Sequence, residues 1–461
     1  MLQIHWHSKT WFKLRFPSYS SEWHSYTLGE ILTFYSTNSF SREKLNYDTG
    51  SVKNIHYGDI HTKFPSIVSV SDNKDIPFIN NEIDLSKYSE DQYLQNGDLI
   101  IADASEDYED IGKAIEVKNI DDEKVLAGLH TILARDNNNI TVNGFKAYLF
   151  STNSLKTKIK IIANGISVLG ISKNSLSKLT VNVPSKNEQN DVVDFISLID
   201  NKIELLEQKH QYYLDFKKFL MQQIFTQKLR FVDFNNSSWK DYKFKDLGTV
   251  KSGVGFSNKY QGHLDLDYNF YKVSDMNLKG NEKVMTRSNN TIDDNLLKDI
   301  GVKLIENPSI IFAKVGEAIF LNRKRIAKQP FLIDNNMMAF SPNENVDLEF
   351  MYYLATSINF GKYAQTGALP SYNASDIYSI KCKIPPIEEQ KRIGKLLSLA
   401  DNKIDFCSNQ LNKTQEFKKG LLQQMFVVRI NWRCNFKLAK SPSFNKHLLI
   451  LKNKIIFIII K

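Results

Sequence analysis

Residues 188–225 of the chain have the sequence EQNDVVDFISLIDNKIELLEQKHQYYLDFKKFLMQQIF, and residues 389–426 have the sequence EQKRIGKLLSLADNKIDFCSNQLNKTQEFKKGLLQQMF. The two stretches align without a gap at an offset of 201 positions. They share the segments Asp-Asn-Lys-Ile and Phe-Lys-Lys, and each ends in Gln-Gln, one further residue and Phe. The chain therefore contains an internal duplication, and its fold has to be explained as two related halves.

Both copies carry apolar residues at alternating steps of four and three, the pattern of a helix that packs along a second helix. Pro184 and the pair Pro385-Pro386 mark where the two helices begin. At about 1.5 Å per residue each helix would be roughly 55 to 60 Å long, and neither can bury its stripe alone. Tandem copies related by a pseudo-two-fold axis predict an antiparallel pair, and the alternative is a surface helix on an ordinary core. The residues expected in the seam between the helices are Ile196, Ile199, Ile203, Leu206, Leu220, Leu397, Ile404, Leu411 and Leu421.

Polar residues interrupt this seam. His210, Lys217 and Lys418 occupy stripe positions. Because a charged side chain is costly in an apolar interface, we expect the packing to shift towards Phe216 and Phe219 near the end of the first helix.

A second repeated motif, which we call the anchor, lies at the start of each half. Lys13-Leu14-Arg15-Phe16 is echoed by Lys228-Leu229-Arg230-Phe231, and Trp23 by Trp239. Between the anchors the halves share almost nothing, and short β-branched and aromatic runs alternate with Gly, Asn and Asp. We predict an α+β fold with two α/β domains separated by a pseudo-two-fold antiparallel coiled coil of two long helices. The expected boundaries are a first domain at 1–184, a central helix at 185–227, a second domain at 228–384, a C-terminal helix at 385–426 and a tail at 427–461.

Composition sets limits on the class of protein. An apolar share of 42% supports packed cores, and 461 residues favour more than one domain. The three cysteines form no Cys-x-x-Cys motif, which fits a reducing cytoplasm and argues against a zinc site. No signal peptide and no apolar run of about 18 residues is evident. We expect a cytoplasmic protein that does not bind membranes.

The net charge of +9 gives little information about the domains. Residues 427–461 contain eight Lys or Arg residues and no acid, whereas residues 26–160 carry a net charge near −7 and residues 240–384 one near +3. The basic excess belongs mostly to the tail, so it is weak evidence for binding of nucleic acid.

The arrangement closely resembles the specificity subunit of type I restriction-modification systems. The resemblance is carried by Leu14-Arg15-Phe16-Pro17 with Trp23, by the entry to the second helix at residues 384–390 (IPPIEEQ), and by the paired Asp-Asn-Lys-Ile and Phe-Lys-Lys segments. It covers about residues 13–426. The chain departs from the family in its tail, which we take for an extension without a family function, and in its aromatic and His-rich opening.

The resemblance implies that this chain recognises DNA within a larger complex and that other subunits carry out catalysis. Each domain would be a target-recognition domain for one half of a split site in double-stranded DNA, and the helix pair would set their spacing and dock two methyltransferase subunits. Nuclease-translocase subunits would then join. Adenine methylation with S-adenosylmethionine, and cleavage driven by ATP with Mg²⁺, would belong to these partners, so the chain itself would be non-catalytic and would hold no cofactor and no metal.

Candidate DNA contacts are basic residues of the two variable regions, suited to phosphates or guanine edges, and a loop near residue 370. Tyr372 and Asn373 lie where the family has a domain-closing loop, so a structural role is favoured for them. The acidic run 103–110 would repel phosphates and should face away from the duplex. The candidates are Arg42, Lys44, Lys53, Lys63, Lys259, Lys314, Arg323, Lys324, Arg325, Lys328, Tyr372 and Asn373.

Two other functions remain open from the residues alone. Asp103, Glu116 and Lys118 have the spacing of a metal-dependent nuclease, in which two carboxylates hold Mg²⁺. A non-DNA adaptor could use the helix pair to assemble other proteins. A methyltransferase or ATPase is not indicated, because no Pro-Pro-aromatic motif and no Walker loop occurs and Gly253-Val254-Gly255 is an isolated GxG.

Overall fold

The computed structural model describes residues 14–71, 73–365 and 369–426. The expectations for the tail at 427–461 lie outside these residues. The chain divides into two compact units, one formed by the described parts of Met1–Ser197 and Lys418–Lys461, the other by Leu198–Phe417.

The first unit is built on a five-stranded and a four-stranded sheet. Their strand orders are β2-β11-β7-β9-β5 and β10-β4-β6-β3, and β1-β13 and β12-β8 form two short ladders. The strands are β1 (His24–Thr27), β2 (Thr33–Tyr35), β3 (Leu45–Asn46), β4 (Val52–Ile55), β5 (Ile67–Ser69), β6 (Phe78–Ile79), β7 (Leu99–Ala102), β8 (Ala104–Ser105), β9 (Ala114–Lys118), β10 (Lys124–Ala127), β11 (Thr131–Arg135), β12 (Leu169–Gly170) and β13 (Thr180–Val183). The helices are α1 (Leu28–Ile31), α2 (Tyr57–Thr62), α3 (Phe145–Phe150), α4 (Asn153–Ile162) and α5 (Lys173–Ser177), and the long α6 (Lys186–Phe225) belongs to this unit up to Ser197.

The second unit has the same plan with fewer strands. Its sheets have the orders β15-β21-β18-β19 and β17-β16-β20, and β14 pairs with β22. The strands are β14 (Lys240–Lys243), β15 (Gly248–Ser252), β16 (Tyr268–Tyr271), β17 (Thr291–Ile292), β18 (Ser309–Ala313), β19 (Lys324–Ala327), β20 (Phe331–Ile333), β21 (Met337–Pro342) and β22 (Lys381–Ile384). The helices are α7 (Phe244–Leu247), α8 (Asp294–Ile300), α9 (Leu348–Ser357) and α10 (Ala374–Tyr378), together with α6 from Leu198 on and the long α11 (Ile387–Met425) up to Phe417.

Corresponding strands of the two units pair in a similar register despite their different sequences. In the first, Leu133 of β11 lies between Tyr35 and Ile100. In the second, Phe340 of β21 lies between Val250 and Ile310. Buried aliphatic and aromatic residues fill both cores, so the duplication extends to the variable domains as a shared backbone plan.

The long helices α6 and α11 contain 40 and 39 residues. Of the seam residues, Ile196, Ile199, Leu220, Leu397 and Leu421 are buried, and Ile203, Leu206, Ile404 and Leu411 are half-buried. The expected shift towards Phe216 and Phe219 was wrong, because both side chains are exposed while Lys217 stays half-buried.

Within Leu198–Phe417 the two helices are in contact and antiparallel. The Cys407 thiol donates a hydrogen bond to the Leu206 carbonyl oxygen at 3.4 Å, and Lys217 Nζ lies 2.5 Å from Asp401 Oδ1. Residue numbers thus rise along α6 as they fall along α11. Leu206 and Cys407 are equivalent residues of the duplication.

Candidate nucleic-acid interface and its supporting frame

In each half, an arginine and a tryptophan of the anchor donate hydrogen bonds to a glutamate at the start of the long helix. We call this contact the clamp. Arg15 donates two hydrogen bonds to Glu188, from Nε and Nη2, both at 2.6 Å, and Trp23 Nε1 donates to the same carboxylate at 3.2 Å. Glu188 is buried, so its charge is balanced by this bidentate pair. The hydrogen bond to Glu188 raises the pKa of Arg15 above its usual value.

The second half repeats the clamp. Arg230 donates to Glu389 from Nε at 3.0 Å and from Nη2 at 2.7 Å, and Trp239 Nε1 donates at 3.4 Å. The role of the two glutamates was not predicted from the sequence, although both open the duplicated stretch. The matching arginine and tryptophan anchors were the signal for them.

The next residue of each helix connects it to its own domain. The Gln189 side chain accepts a hydrogen bond from Val142 N at 2.8 Å and donates to the Pro184 carbonyl oxygen at 2.9 Å. Gln390 accepts from Asp347 N at 2.9 Å and donates to the Pro385 carbonyl oxygen at 2.9 Å. Since these buried contacts are duplicated, each domain is held on its helix in the same way.

In the first domain the structure brings Arg42 and Lys63 together on one buried carboxylate. Asp59 is fully buried, and its Oδ1 lies 2.7 Å from Arg42 Nη2 and 3.2 Å from Lys63 Nζ. Arg42 is 43% exposed, so part of its side chain is accessible to a ligand. The hydrogen bond to Asp59 raises the pKa of Arg42, and that to Tyr47 raises the pKa of Lys63.

Further basic groups lie nearby on aromatic rings. Lys44 and Lys87 have their Nζ atoms 5.7 and 5.9 Å from the centre of the Phe40 ring. Lys87 was missed by the sequence analysis. We call Arg42, Lys44, Lys63 and Lys87 the first basic group.

Lys53 does not belong to this group, and its expected contact with DNA needs correction. Its side chain is buried on β4, forms an ion pair with Glu123, and donates to the Val70 carbonyl oxygen at 3.3 Å. A lysine with these partners stabilises the core and is not presented to a ligand.

In the second domain the expected basic loop is largely a strand. Lys324 begins β19 and is only 2% exposed, and its Nζ donates to Asn322 and to the Ile358 carbonyl oxygen. Burial lowers the pKa of Lys324 to about 7. Lys324 therefore does not contact DNA as expected, because the alternation of the strand points it into the core.

The other basic candidates of the second domain stay near the surface. Arg323 is bound to Asn277, and Arg325 donates to the Met276 carbonyl oxygen at 3.2 Å. Lys328 is half-exposed and lies 3.6 Å from Glu349. Lys259 is exposed in the short turn Asn258–Tyr260, which has the chain position of Arg42–Lys44 in the first domain, and Lys314 is half-buried.

Tyr372 and Asn373 hold the domain together. Tyr372 is buried beside Phe312, and this burial raises the pKa of its hydroxyl. The Asn373 side chain caps α10 by accepting a hydrogen bond from Asp376 N at 3.0 Å. The DNA contact proposed for Tyr372 is therefore corrected to a role in closure of the domain.

The nuclease hypothesis fails on the surroundings of Glu116. Its carboxylate is 1% exposed and accepts hydrogen bonds from Gly144 N at 2.6 Å and Ala147 N at 3.0 Å, with Lys146 Nζ at 3.1 Å. Among the described residues no group of three or more His, Cys, Asp or Glu side chains could hold a metal ion. Glu116 is the cap of α3, not a metal ligand.

A family model for the type I restriction modification DNA specificity domain matches the chain twice, over residues 20–212 and 236–416. The two matches cover both halves of the duplication. The chain belongs to this family. The alternatives of a nuclease and of a non-DNA adaptor gain no support from its relatives.

Relatives named as type I specificity subunits agree with this assignment, and a solved structure shares the fold. The MjaIX type I restriction enzyme specificity subunit of Methanocaldococcus jannaschii is 24% identical over 319 residues, which cover 65% of this chain and 71% of the relative. The MjaVIII specificity subunit of that organism is 21% identical over 301 residues, covering 61% and 70%. The S subunit structure from M. genitalium has a TM-score of 0.55 at 14% identity and covers 91% of this chain and 100% of that one. The predicted fold class is confirmed.

The long helices of this specificity-domain protein also carry exposed apolar residues outside the seam, which we call the exposed stripe. All members are between 41% and 65% exposed, and Leu198, Leu205 and Tyr212 follow each other at steps of seven. The stripe consists of Leu198, Leu205, Tyr212, Phe216 and Phe219 on α6 and Leu399, Phe406 and Phe417 on α11. Exposed apolar side chains that form a large contiguous patch often mark a protein-binding surface. No helix of the described residues is both long and apolar enough to cross a membrane.

Proposed function

We propose that this chain selects the DNA sequence for a type I restriction-modification complex and is not itself catalytic. One observation carries the proposal: the clamps, the glutamine contacts and the sheet register are duplicated, whereas the surfaces of the two domains differ. A protein that recognises a split site needs this combination, because two unlike readers must be held in one fixed frame. Each domain recognises one half-site.

The first basic group supplies the chemistry for contact with DNA in the first domain. Arg42 is held in place by the buried Asp59, so little side-chain entropy is lost when its accessible part meets a guanine edge or a phosphate. Lys44, Lys63 and Lys87 suit phosphates. In the second domain the exposed Lys259 and the half-buried Arg323 are the corresponding cations, and Arg325 lies deeper.

The exposed stripe of the helix pair suits the docking of methyltransferase subunits. It occurs on both helices at equivalent positions, since Leu198 and Leu399, Leu205 and Phe406 are related by the duplication. Two copies of a surface provide for two copies of a partner. Nuclease-translocase subunits complete the complex, and S-adenosylmethionine, ATP and Mg²⁺ belong to these partners, which act on DNA in the cytoplasm.

Methylome sequencing tests the proposal. Cells that express this chain with its methyltransferase subunit should show adenine methylation in one bipartite motif, and cells with the methyltransferase subunit alone should not. Methylation that is absent or independent of this chain would refute the function and favour a non-DNA adaptor.

A further inference from the structure

The lysine that interrupts the seam is part of a network that joins three elements of the second unit. Lys217 of α6 lies 2.5 Å from Asp401 Oδ1 of α11. Asp401 Oδ2 lies 3.3 Å from Lys283 Nζ of the second domain and accepts a hydrogen bond from the Tyr353 hydroxyl. We call Lys217, Lys283, Glu349, Tyr353 and Asp401 the Asp401 network.

The domain side of the network is anchored independently of the helices. Lys283 Nζ lies 2.8 Å from Glu349 Oε2 and donates to the Tyr353 hydroxyl at 2.7 Å. Lys283 also donates to Ser398 Oγ of α11 at 3.2 Å. The second domain therefore contacts α11 at Ser398 and Asp401, which lie about one helical turn apart. Two such contacts fix the orientation of the domain relative to α11 as well as its distance from it.

The duplication places a related contact in the first unit. Lys217 Nζ lies 5.5 Å from the centre of the buried Tyr353 ring. Lys418, its equivalent in the second copy, lies 5.5 Å from the centre of the buried Tyr148 ring. Both copies thus use the first lysine of Phe-Lys-Lys against a tyrosine of a recognition domain, so this lysine has a role that an apolar seam residue could not fill.

Electrostatics indicate that this role is orientation more than stability. Asp401 and Lys217 are 15% and 23% exposed, so their pairing gives up hydration that the ion pair only partly restores. Well-packed apolar residues at such a site often preserve or increase stability, whereas a polar residue at a seam position selects one register.

We propose that the Asp401 network fixes the second recognition domain at one orientation on the helix pair and thereby holds the two half-sites at one spacing. The inference rests on the proposed function. Lys217, Lys283 and Asp401 are positioning residues, because they act through the domain and do not touch the bases.

The test uses the double variant Lys217→Met/Asp401→Leu in the full complex with the methyltransferase. Methylome sequencing should show both half-sites unchanged, and methylation at spacers one base pair longer or shorter should rise about tenfold, the factor given by ~1.4 kcal/mol. Thermal unfolding should be unchanged or shifted upwards. The matched control Lys218→Met/Asn402→Leu alters exposed neighbours and should keep one spacer.

Each outcome bears on the network. An assembled double variant that keeps a single spacer, or that loses methylation altogether, overturns the proposal. If the double variant does not assemble, Lys283→Met carries the test, since it removes only the domain side, and a single spacer in that variant overturns the proposal equally. A wild-type complex without a bipartite motif would instead refute the proposed function.

Discussion

The clamp between Arg230 and Glu389 gives the sharpest prediction about stability. Glu389→Ala removes a fully buried carboxylate that accepts two hydrogen bonds from Arg230 and one from Trp239. It leaves the guanidinium, 14% exposed, without its counter-charge. Breaking a buried pair costs about 3 to 5 kcal/mol, and the residual exposure of Arg230 places the expected loss near 3 kcal/mol.

Urea unfolding of the chain, followed by tryptophan fluorescence, measures this loss; Trp239, which contacts Glu389, is one of the five tryptophans of the chain, and Trp23→Phe in both proteins removes the equivalent signal of the first half. Glu388→Ala is the matched control. Glu388 is 66% exposed and pairs only with Lys391 among the ion pairs of the described residues, so its removal should cost less than about 0.5 kcal/mol. Equal losses in the two variants would refute the assignment of the clamp as a buried ion pair.

Three further variants test the core, the DNA surface and the docking surface. Burial lowers the pKa of Lys324 to about 7, so the unfolded chain binds more protons than the folded chain above that pH. The free energy of unfolding should therefore rise from pH 7 towards pH 10, by up to about 1.4 kcal/mol per pH unit. Lys324→Met should flatten this slope in urea unfolding. Arg42→Ala should lower methylation about 5- to 150-fold, the range that corresponds to ~1 to 3 kcal/mol for one base contact, and should relax only one half of the motif; a loss spread evenly over both halves would contradict its placement. Phe406→Ser should weaken binding of the methyltransferase subunit in size-exclusion chromatography without lowering the unfolding midpoint, and unimpaired assembly would contradict docking on the exposed stripe.

The frame could be predicted from the sequence because its signal is repeated. The stripe on each helix, the prolines before it and the offset of 201 positions are local patterns, and a pseudo-two-fold axis follows from a tandem duplication. The shared Arg and Trp anchors pointed to a joint role, but their glutamate partners lie more than 140 positions away. Pairing at that distance depends on the tertiary fold.

The candidate site was predicted less well, because surface chemistry depends on which way a side chain points. The run Arg323-Lys324-Arg325 has the composition of a basic loop, yet the ladder of β19 with β18 places Lys324 inside. From the sequence, Lys217 interrupts the apolar seam, and the packing was predicted to shift from it to Phe216 and Phe219. No periodicity reveals that an amine reaches Asp401 across the helix pair, so the polar residue kept its place and the aromatic residues were left exposed.

The most direct test of the central claim is an exchange of domains. Residues 26–180 would be replaced by the corresponding region of another specificity subunit, with the clamps and both long helices retained, and the adenine methylome of the assembled complex would be sequenced. We expect that one half of the bipartite motif changes while the other half and the spacer stay the same. A motif in which both halves change, or neither does, would contradict it.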